Sequence, residues 1–577
     1  MDQIESEYDV VIVGSGAGSV PCALKVRSEG KTAAIFEKLS VFGGTTSFSG
    51  GVLWIPDNPL MKEAGIEDSF DRAELYLKSV VDYVGPSVSA ERTTSFLNAG
   101  PAMVEFLRSK GMKFRRPFHD WPDYYDDAPG GSPEGRSLLA EVFDISQLGE
   151  WRDRLSIYAP LAHMPLSAEE FTTLFTMRKT FAGKLKALKY ATLMARDKLL
   201  GRQTIANGAA IQGRLLQIIL REKVPLFLDT PSEELWLEEG KVVGVKVRHK
   251  GRTVSVRARR GVVINAGGYG HAIEFREKHG RGRETAIRSR ANPGDLGGPL
   301  QEMMAMGAAT ENLDAAWWVI TSQNTDGSWP EGATMPDGQV FSFMHHLDLS
   351  LPHSIMVDQD GQRFCDEAGA YMEIGERMIQ RQQATGRGIP AWMIFDKRHR
   401  DWYPWGTMPP GKTPQSWIDS GYMKKAETLP ELADLCGIDA AGLSTEVARF
   451  NQYCRDGRDP DFNRGGRAFD RAHGDPTVKP NPNMGSIEQG PFYAVPMYPA
   501  DVGTAGGVVT DAFARVIGDD GQAIAGLYAI GNSAASPFGR CYPAAGATIG
   551  PSMVFGYVAA MHAIGDNKLA EVTGVSA

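Results

Sequence analysis

One short stretch limits what this chain can fold into more than any other. Tyr8-Asp-Val-Val-Ile-Val13 is a continuous apolar run of strand type, and Gly14-Ser-Gly16-Ala17-Gly18-Ser19 follows it directly. Val20 to Arg27 then reads as a helix, Thr32 to Phe36 as a second strand, and Glu37 closes it. Strand, glycine turn, helix, strand and acid in that order make a dinucleotide-binding βαβ unit. The glycines allow a tight turn and close approach of the backbone to a pyrophosphate, and Glu37 takes a pair of ribose hydroxyls. Ser19 stands where a third glycine is usual, which loosens helix–strand packing slightly. The expected fold class is therefore α/β.

A second loop decides which dinucleotide. Gly43-Gly44-Thr45-Thr46-Ser47-Phe48-Ser49-Gly50-Gly51 supplies hydroxyls and backbone N–H groups soon after the ribose acid. A nicotinamide dinucleotide needs no such loop there. A flavin dinucleotide does, to hold its ribityl chain and ring, so the expected cofactor is FAD. It is expected to be non-covalent, because no histidine adjoins Ser49-Gly50-Gly51.

Composition narrows the class further. A chain of 577 residues predicts two or three domains, and a net charge of -9 argues against nucleic acid as a partner. Five scattered cysteines without a C-x-x-C pair exclude a disulfide framework or zinc site and fit a reducing compartment; no metal is expected. The start, Met1-Asp-Gln-Ile-Glu-Ser-Glu, reads as neither a signal peptide nor a twin-arginine leader, and no apolar run is long enough to span a membrane. A cytoplasmic location follows as the expectation.

Phe70 to Val81 and Thr93 to Leu107 carry apolar residues at helical spacing. Trp121 to Gly131 is an aromatic loop. From Arg178 to Arg202 there are eight basic residues and one acid, Asp197, with Phe181, Leu185, Leu188 and Thr192 on one stripe. A basic amphipathic helix in an acidic protein marks 178–202, within the longer segment 151–202, as a candidate peripheral contact with the inner face of a membrane. The bland alternative is a surface helix packed by its apolar face.

Residues 225–258 read as a meander, and Gly261-Val-Val-Ile-Asn265-Ala266-Gly267-Gly268 as a further buried strand. Asn292-Pro-Gly-Asp295 opens a helix near the flavin. From about 308 to 485 tryptophans and histidine pairs appear, including Trp317, Trp318, His345 and His346. The predicted organisation is a Rossmann-like FAD-binding domain, 1–307 with 486–577, and an inserted α+β substrate domain, 308–485. The last stretch is Gly526-Leu-Tyr-Ala-Ile-Gly531-Asn532, then Tyr542-Pro-Ala-Ala-Gly546-Ala-Thr-Ile549-Gly-Pro551 and a helix. Its helix start is an anion site suited to the edge of a reduced flavin. The predicted cofactor contacts are Gly14, Gly16, Ala17, Gly18, Ser19, Glu37, Lys38, Gly44, Thr45, Thr46, Ser49, Gly50, Gly51, Ala266, Gly267, Asp295, Asn532 and Ile549.

There is no H-E-x-x-H, nucleophile elbow or P-loop, so hydrolytic routes lack support. The chemistry left is that of tyrosines beside a flavin. A phenol ionises near pH 10, so it serves as a base only when its anion is stabilised or the proton it takes is made acidic. Gripping a ketone oxygen does the second. Tyr542 and the Gly546 N–H would form that grip, and a hydride would pass to the flavin: dehydrogenation α,β to a ketone.

On Gly14–Ser19, Glu37, the 43–51 loop, Arg363-Phe-Cys-Asp-Glu-Ala-Gly-Ala-Tyr371 and Tyr542–Pro551, the chain resembles the 3-ketosteroid Δ1-dehydrogenases, within the flavoprotein superfamily of fumarate reductase and succinate dehydrogenase. That resemblance implies Tyr371 as the base at C2, Tyr124 or its neighbour Tyr125 supporting it, and Tyr542 with Gly546 polarising the C3 ketone. It also implies FAD taking the C1 hydride and a quinone-type acceptor. The sequence departs from the family at Pro543-Ala-Ala-Gly546, where Pro-Gly-Pro-Gly is frequent. Two alternatives share the fold: a Δ4-(5α)-ketosteroid dehydrogenase, and a fumarate-reductase-like enoate reductase, for which Arg363, Arg377, His345 and His346 would be the carboxylate clamps.

Overall fold

A computed structural model describes residues 3–82, 85–118, 120–157, 165–279, 282, 285, 287–334 and 340–576. The expected βαβ unit is present as β1 (Glu7–Val13), α1 (Ser19–Ser28) and β2 (Ala33–Phe36). After it come β3 (Val52–Trp54), α2 (Ala90–Ser109), α3 (Phe181–Leu199), β4 (Leu226–Phe227) and β5 (Arg252–Ile264). The second half contributes β6 (Ala316–Ser322), α4 (Tyr371–Thr385), β7 (Ala391–Phe395), β8 (Phe492–Thr504), β9 (Ala523–Ala529) and α5 (Ile549–Ile564).

The first sheet is parallel through its middle, in the order β9-β5-β1-β2-β4. β1 is buried on both faces, as its unbroken apolar run requires. The sequence reads 253–258 and 261–265 as two strands, but they form one, β5. Its first half pairs antiparallel with Lys241–His249 and its second half parallel with β1 and β9. The register slips between Tyr8 and Val10, next to Gly261, which lets one strand serve both partners.

The second sheet is antiparallel and holds β6, β8 and β7 side by side. β8 lies there although it follows residue 485. We propose two functional units along the expected lines, with β8 as the strand that carries the chain back from the substrate unit to the flavin unit.

The two ends of the chain meet where α5 crosses α1. A Cβ on Gly556 would sit 2.1 Å from the Gly18 carbonyl oxygen, and one on Gly18 would sit 2.2 Å from that of Ser552. Ser19 takes up the rest of its expected role differently. Its hydroxyl donates to the Gly14 carbonyl at 2.7 Å and accepts from Asn265 Nδ2 at 2.8 Å, which locks the turn to the end of β5. The close helix packing therefore comes from Gly18, one place before the usual position.

Because the atoms met are backbone, Gly556→Val cannot be absorbed by a rotamer change. We expect it to cost about 1–3 kcal/mol or more through overpacking, read as a lower Tm together with lower FAD content after purification.

Candidate active site

The crossing of α1 and α5 sets two glycine loops opposite each other across one large cavity, about 940 Å³, at the top of the range for ligand sites. Its polar end runs along the ends of β1, β2 and β5. Glu37 closes this end, and its carboxylate is already oriented: the Ser15 N–H and hydroxyl donate to one oxygen at 2.9 and 2.7 Å, and the Leu39 N–H to the other at 2.9 Å. The Ser15 hydroxyl in turn accepts from the Gly43 N–H at 2.9 Å, so the first glycine turn and the 43–51 loop are fastened through one serine.

Of the expected cofactor contacts, Gly14, Gly16, Ala17, Glu37, Lys38, Gly44, Thr45, Thr46, Ser49, Gly50, Gly51, Ala266, Gly267, Asp295, Asn532 and Ile549 line the cavity. Gly18 and Ser19 do not; they lie behind it, in the helix crossing and the turn lock described above. Sequence reasoning did not single out Ser15, Asn265, Thr548 and Ser552, which also line it, as does Asn292 from the stretch expected near the flavin. Lys38 Nζ donates to the Gly294 carbonyl, so it holds the opposing loop. Burial pushes the Asp295 carboxyl up to about 7, against the pull of the Thr45 hydroxyl, and Thr45 also accepts the Asn292 N–H at 2.9 Å.

The residues present fit FAD. A Cβ on Gly44 would rest against Gly16, 3.8 Å from its Cα and 4.0 Å from its N, so the two glycine loops come within van der Waals reach of each other, and both line the cavity that a pyrophosphate can occupy. Glu37, the acid expected to take ribose hydroxyls, lines the same cavity as the N-terminal turn of α5, which is favourable to negative charge.

Beyond the α5 turn the cavity becomes aromatic, and here three tyrosines converge from distant segments. The ring centroids of Tyr371 lie 5.7 Å from those of Tyr124 and Tyr542, which are 5.8 Å apart. The Tyr371 phenol acts on those of both Tyr124 and Tyr542. The Tyr542 hydroxyl lies near the Gly546 N–H and meets Thr548 Oγ1 at 3.2 Å. Burial is the main cause that raises all three phenols, most strongly those of Tyr371 and Tyr124. Tyr125 does not line the cavity; Arg467 covers its ring, and of the two neighbours it is Tyr124 that faces Tyr371.

The scaffold explains the convergence. Tyr371 opens α4. The loop after Tyr542 is sewn to its surroundings through the backbone: the Tyr124 N–H donates to the Pro543 carbonyl at 3.0 Å, the Tyr76 hydroxyl to the same oxygen at 2.6 Å, and Ser137 Oγ to the Ala545 carbonyl at 3.0 Å. The Trp54 N–H, on β3, donates to Gly546 O at 3.3 Å. Gly546 has φ +97°, and a Cβ there would lie 2.6 Å from Trp54 N, so only glycine brings its N–H into the cluster. The aromatic loop is anchored by buried Arg136, whose guanidinium pairs with Asp123 and Asp68 at 2.5 and 2.7 Å.

The far wall is apolar and includes Leu166, Phe171 and Phe175, from the segment before α3, with Phe343 and Leu347. Arg290 also lines the cavity, but the two arginines named as carboxylate clamps do not. Arg363 is tied to Glu367 and Asp459 at 2.7 and 2.9 Å, and Arg377 pairs with Glu373 on the surface. His345 is held between Ser322 and Asp348, and of the four named groups His346 alone lines the cavity.

A dinucleotide cradle that opens on a buried tyrosine cluster defines a flavoprotein oxidoreductase. The family model described as FAD binding domain matches residues 9–549. The 3-oxosteroid 1-dehydrogenase of Mycolicibacterium smegmatis is 37% identical over 573 residues, 96% of this chain and 97% of that protein. The structure of 3-ketosteroid delta1-dehydrogenase from Sterolibacterium denitrificans with 1,4-androstadiene-3,17-dione superposes with a TM-score of 0.89 at 35% identity, over 98% of this chain and all of that one (100%). The 3-ketosteroid-delta4-(5alpha)-dehydrogenase of Rhodococcus jostii shares the fold at 18% identity and a TM-score of 0.61, over 97% of each chain. The chain belongs to the FAD-binding 3-oxosteroid 1-dehydrogenase family.

FAD is accordingly its cofactor, and Glu37 is the group to test. Glu37→Ala is expected to weaken FAD binding about 10- to 100-fold, the equivalent of a charged hydrogen bond worth about 1.5–3 kcal/mol. Titration of apoprotein, followed by flavin fluorescence, measures it.

Proposed function

We propose that this enzyme introduces the 1,2-double bond into 3-ketosteroids, converting a 3-keto-4-ene to the 1,4-diene. The observation that carries the reading is the three-tyrosine cluster beside the Gly546 N–H, in a cavity that Arg363 and Arg377 do not line. FAD, when bound, supplies the acceptor for the C1 hydride.

The geometry supports the following roles. A steroid entering along the apolar wall places its C3 ketone where the Tyr542 hydroxyl and the Gly546 N–H converge. The closeness of the Tyr542 hydroxyl and the Gly546 N–H supports a shared target for the two donors. Donation from both to the ketone oxygen stabilises the enolate that forms as the C2 proton leaves. Tyr371 takes that proton, and the Tyr124 hydroxyl donates to the phenolate oxygen. Breaking the Tyr371–Tyr542 contact on substrate entry turns a closed ring of neutral hydroxyls into two separate donor sets, one on the ketone and one on the base. Water access is limited by the burial of Tyr124 and Tyr542, against which the half-buried Tyr371 packs.

We also propose a peripheral membrane contact through α3 and a quinone-type acceptor, which a lipid phase would supply. Phe181, Leu185, Leu188 and Leu199 are 76, 51, 60 and 87% exposed, so the apolar stripe faces outward instead of packing on the body. Lys184, Lys186, Lys189 and Lys198 surround it. Arg178 and Lys179 do not join this face. Arg178 donates to the Asp401 carbonyl at 2.8 Å, and Lys179 pairs with Asp475 at 2.5 Å, fixing the root of the helix to the substrate unit. Among the described residues no helix is long and apolar enough to cross a membrane. The segment 151–202 includes 158–164, which lie outside the described residues.

Tyr371→Phe should retain FAD yet lose about 10²–10⁴-fold in kcat on androst-4-ene-3,17-dione, the usual share of a general base. Tyr542→Phe should lose about 10²–10³-fold, the share of one oxyanion donor. Because the Tyr371 phenol is raised above 10, its basic form grows as pH rises, so kcat/KM should climb from neutral to alkaline pH; a flat profile would contradict the phenolate assignment. For the membrane contact, Leu185→Asp with Leu188→Asp should release the protein from sedimenting anionic vesicles while leaving its turnover of soluble steroid in place. Equal sedimentation of both proteins would refute it.

A further inference from the structure

Behind the wall shared by β9 and the start of α5 lies a second, much smaller cavity of about 20 Å³, room for a single water. Gly531, Asn532 and Thr548 line both it and the cofactor cavity, so only one layer of residues separates the two. Arg92, on α2, also lines the small cavity. Its guanidinium is 2% exposed. Nη1 donates to two neutral groups, the carbonyls of Ser87 and Ala535, at 2.7 and 2.8 Å, while Nε is sealed with no acceptor. No carboxylate reaches ion-pair distance among the described residues; Asp511 and Glu311 act on it only through space. Burial lowers it to about 10, so it remains charged at neutral pH.

An isolated buried cation is costly, by several kcal/mol after relaxation. Everything around Arg92 could have been made apolar, as Phe555, 5.1 Å below it, and Pro551 already are. The charge is instead held on the same wall as the positive end of the α5 macrodipole. What enters the cavity beyond that wall is a ring system that becomes negative when it gains two electrons and one proton from a hydride.

We propose that Arg92 is a redox-tuning residue: an unpaired positive charge, kept behind the flavin wall, whose counter-charge is the reduced cofactor. The steroid loses a hydride from C1 and a proton from C2, and the two electrons stay on the flavin with one proton until an acceptor removes them. A fixed cation beside that charge raises the flavin reduction potential and so favours dehydrogenation over its reverse. This rests on the FAD reading but fails separately from it.

The test is the flavin midpoint potential of the holoenzyme, measured by spectroelectrochemistry. Arg92→Gln keeps donors for the two carbonyls and removes the charge; Arg92→Lys keeps the charge. The potential is expected to fall in Arg92→Gln and to stay near wild type in Arg92→Lys. A Gln variant that binds FAD at an unchanged potential, or Lys and Gln variants shifted equally, would overturn the proposal. The wild type provides an arm that needs no variant: its reduced flavin should keep the anionic absorption spectrum down to about pH 6. A neutral reduced flavin there overturns it as well, whereas a protein that takes up no FAD would instead sink the cofactor assignment.

Discussion

Everything at the site depends on a backbone contact between the two ends of the chain. Gly18 and Gly556 let α1 and α5 approach until main-chain atoms nearly touch. That approach sets the turn that opens the fold opposite the loop that closes it. Without it the pyrophosphate cradle and the Gly546 N–H would belong to separate surfaces. With it, one cavity runs from the Glu37 carboxylate to the Tyr542 phenol. The glycines are thus required by distance more than by turn geometry, and van der Waals repulsion makes the arrangement intolerant of even one carbon.

The reactive end is organised by a different principle, the satisfaction of backbone groups. The carbonyls of Pro543, Ala545 and Gly546 are each engaged by a group from a remote segment. This leaves the Gly546 N–H as the donor turned inward. The same bonds fix Tyr124, whose own N–H is one of the stitches. A buried arginine between two aspartates then holds the Tyr124 loop. Such a pair contributes little net stability against an apolar replacement, but it is unforgiving of displacement. Precision at the three hydroxyls comes from this frame, together with the contact of the Tyr542 hydroxyl with Thr548.

How much of this the sequence discloses depends on how local each signal is. The cradle was legible because strand, turn, helix and acid lie within Tyr8–Glu37, and the 43–51 loop follows at once. Tyr542 and the Gly546 N–H are four residues apart in one loop, so their pairing is a local signal; Tyr371 enters only through family resemblance, because 170 residues of intervening fold separate it from Tyr542. The choice between Tyr124 and Tyr125 was closed to sequence, since adjacent residues in a loop differ only in direction. Ser15 and Ser19 looked like filler or a defect, yet one holds the ribose acid and the other locks the turn. Arg92 gave no signal at all. It sits in a helix of ordinary amphipathic pattern, and what makes it unusual is a carbonyl 443 residues away.

The chain carries a net charge of -9, yet one projecting helix gathers lysines around its exposed face. The molecule is therefore an electric dipole with a small positive pole on a larger negative body. Near any anionic sheet such a body feels a torque before it makes contact: the lysine pole is drawn in and the acidic bulk is pushed away. Orientation is thereby chosen at a distance of about one Debye length, near 8 Å at physiological salt. Because that torque is purely Coulombic, raising the ionic strength would abolish the aim of the approach before it abolished the grip of the leucines.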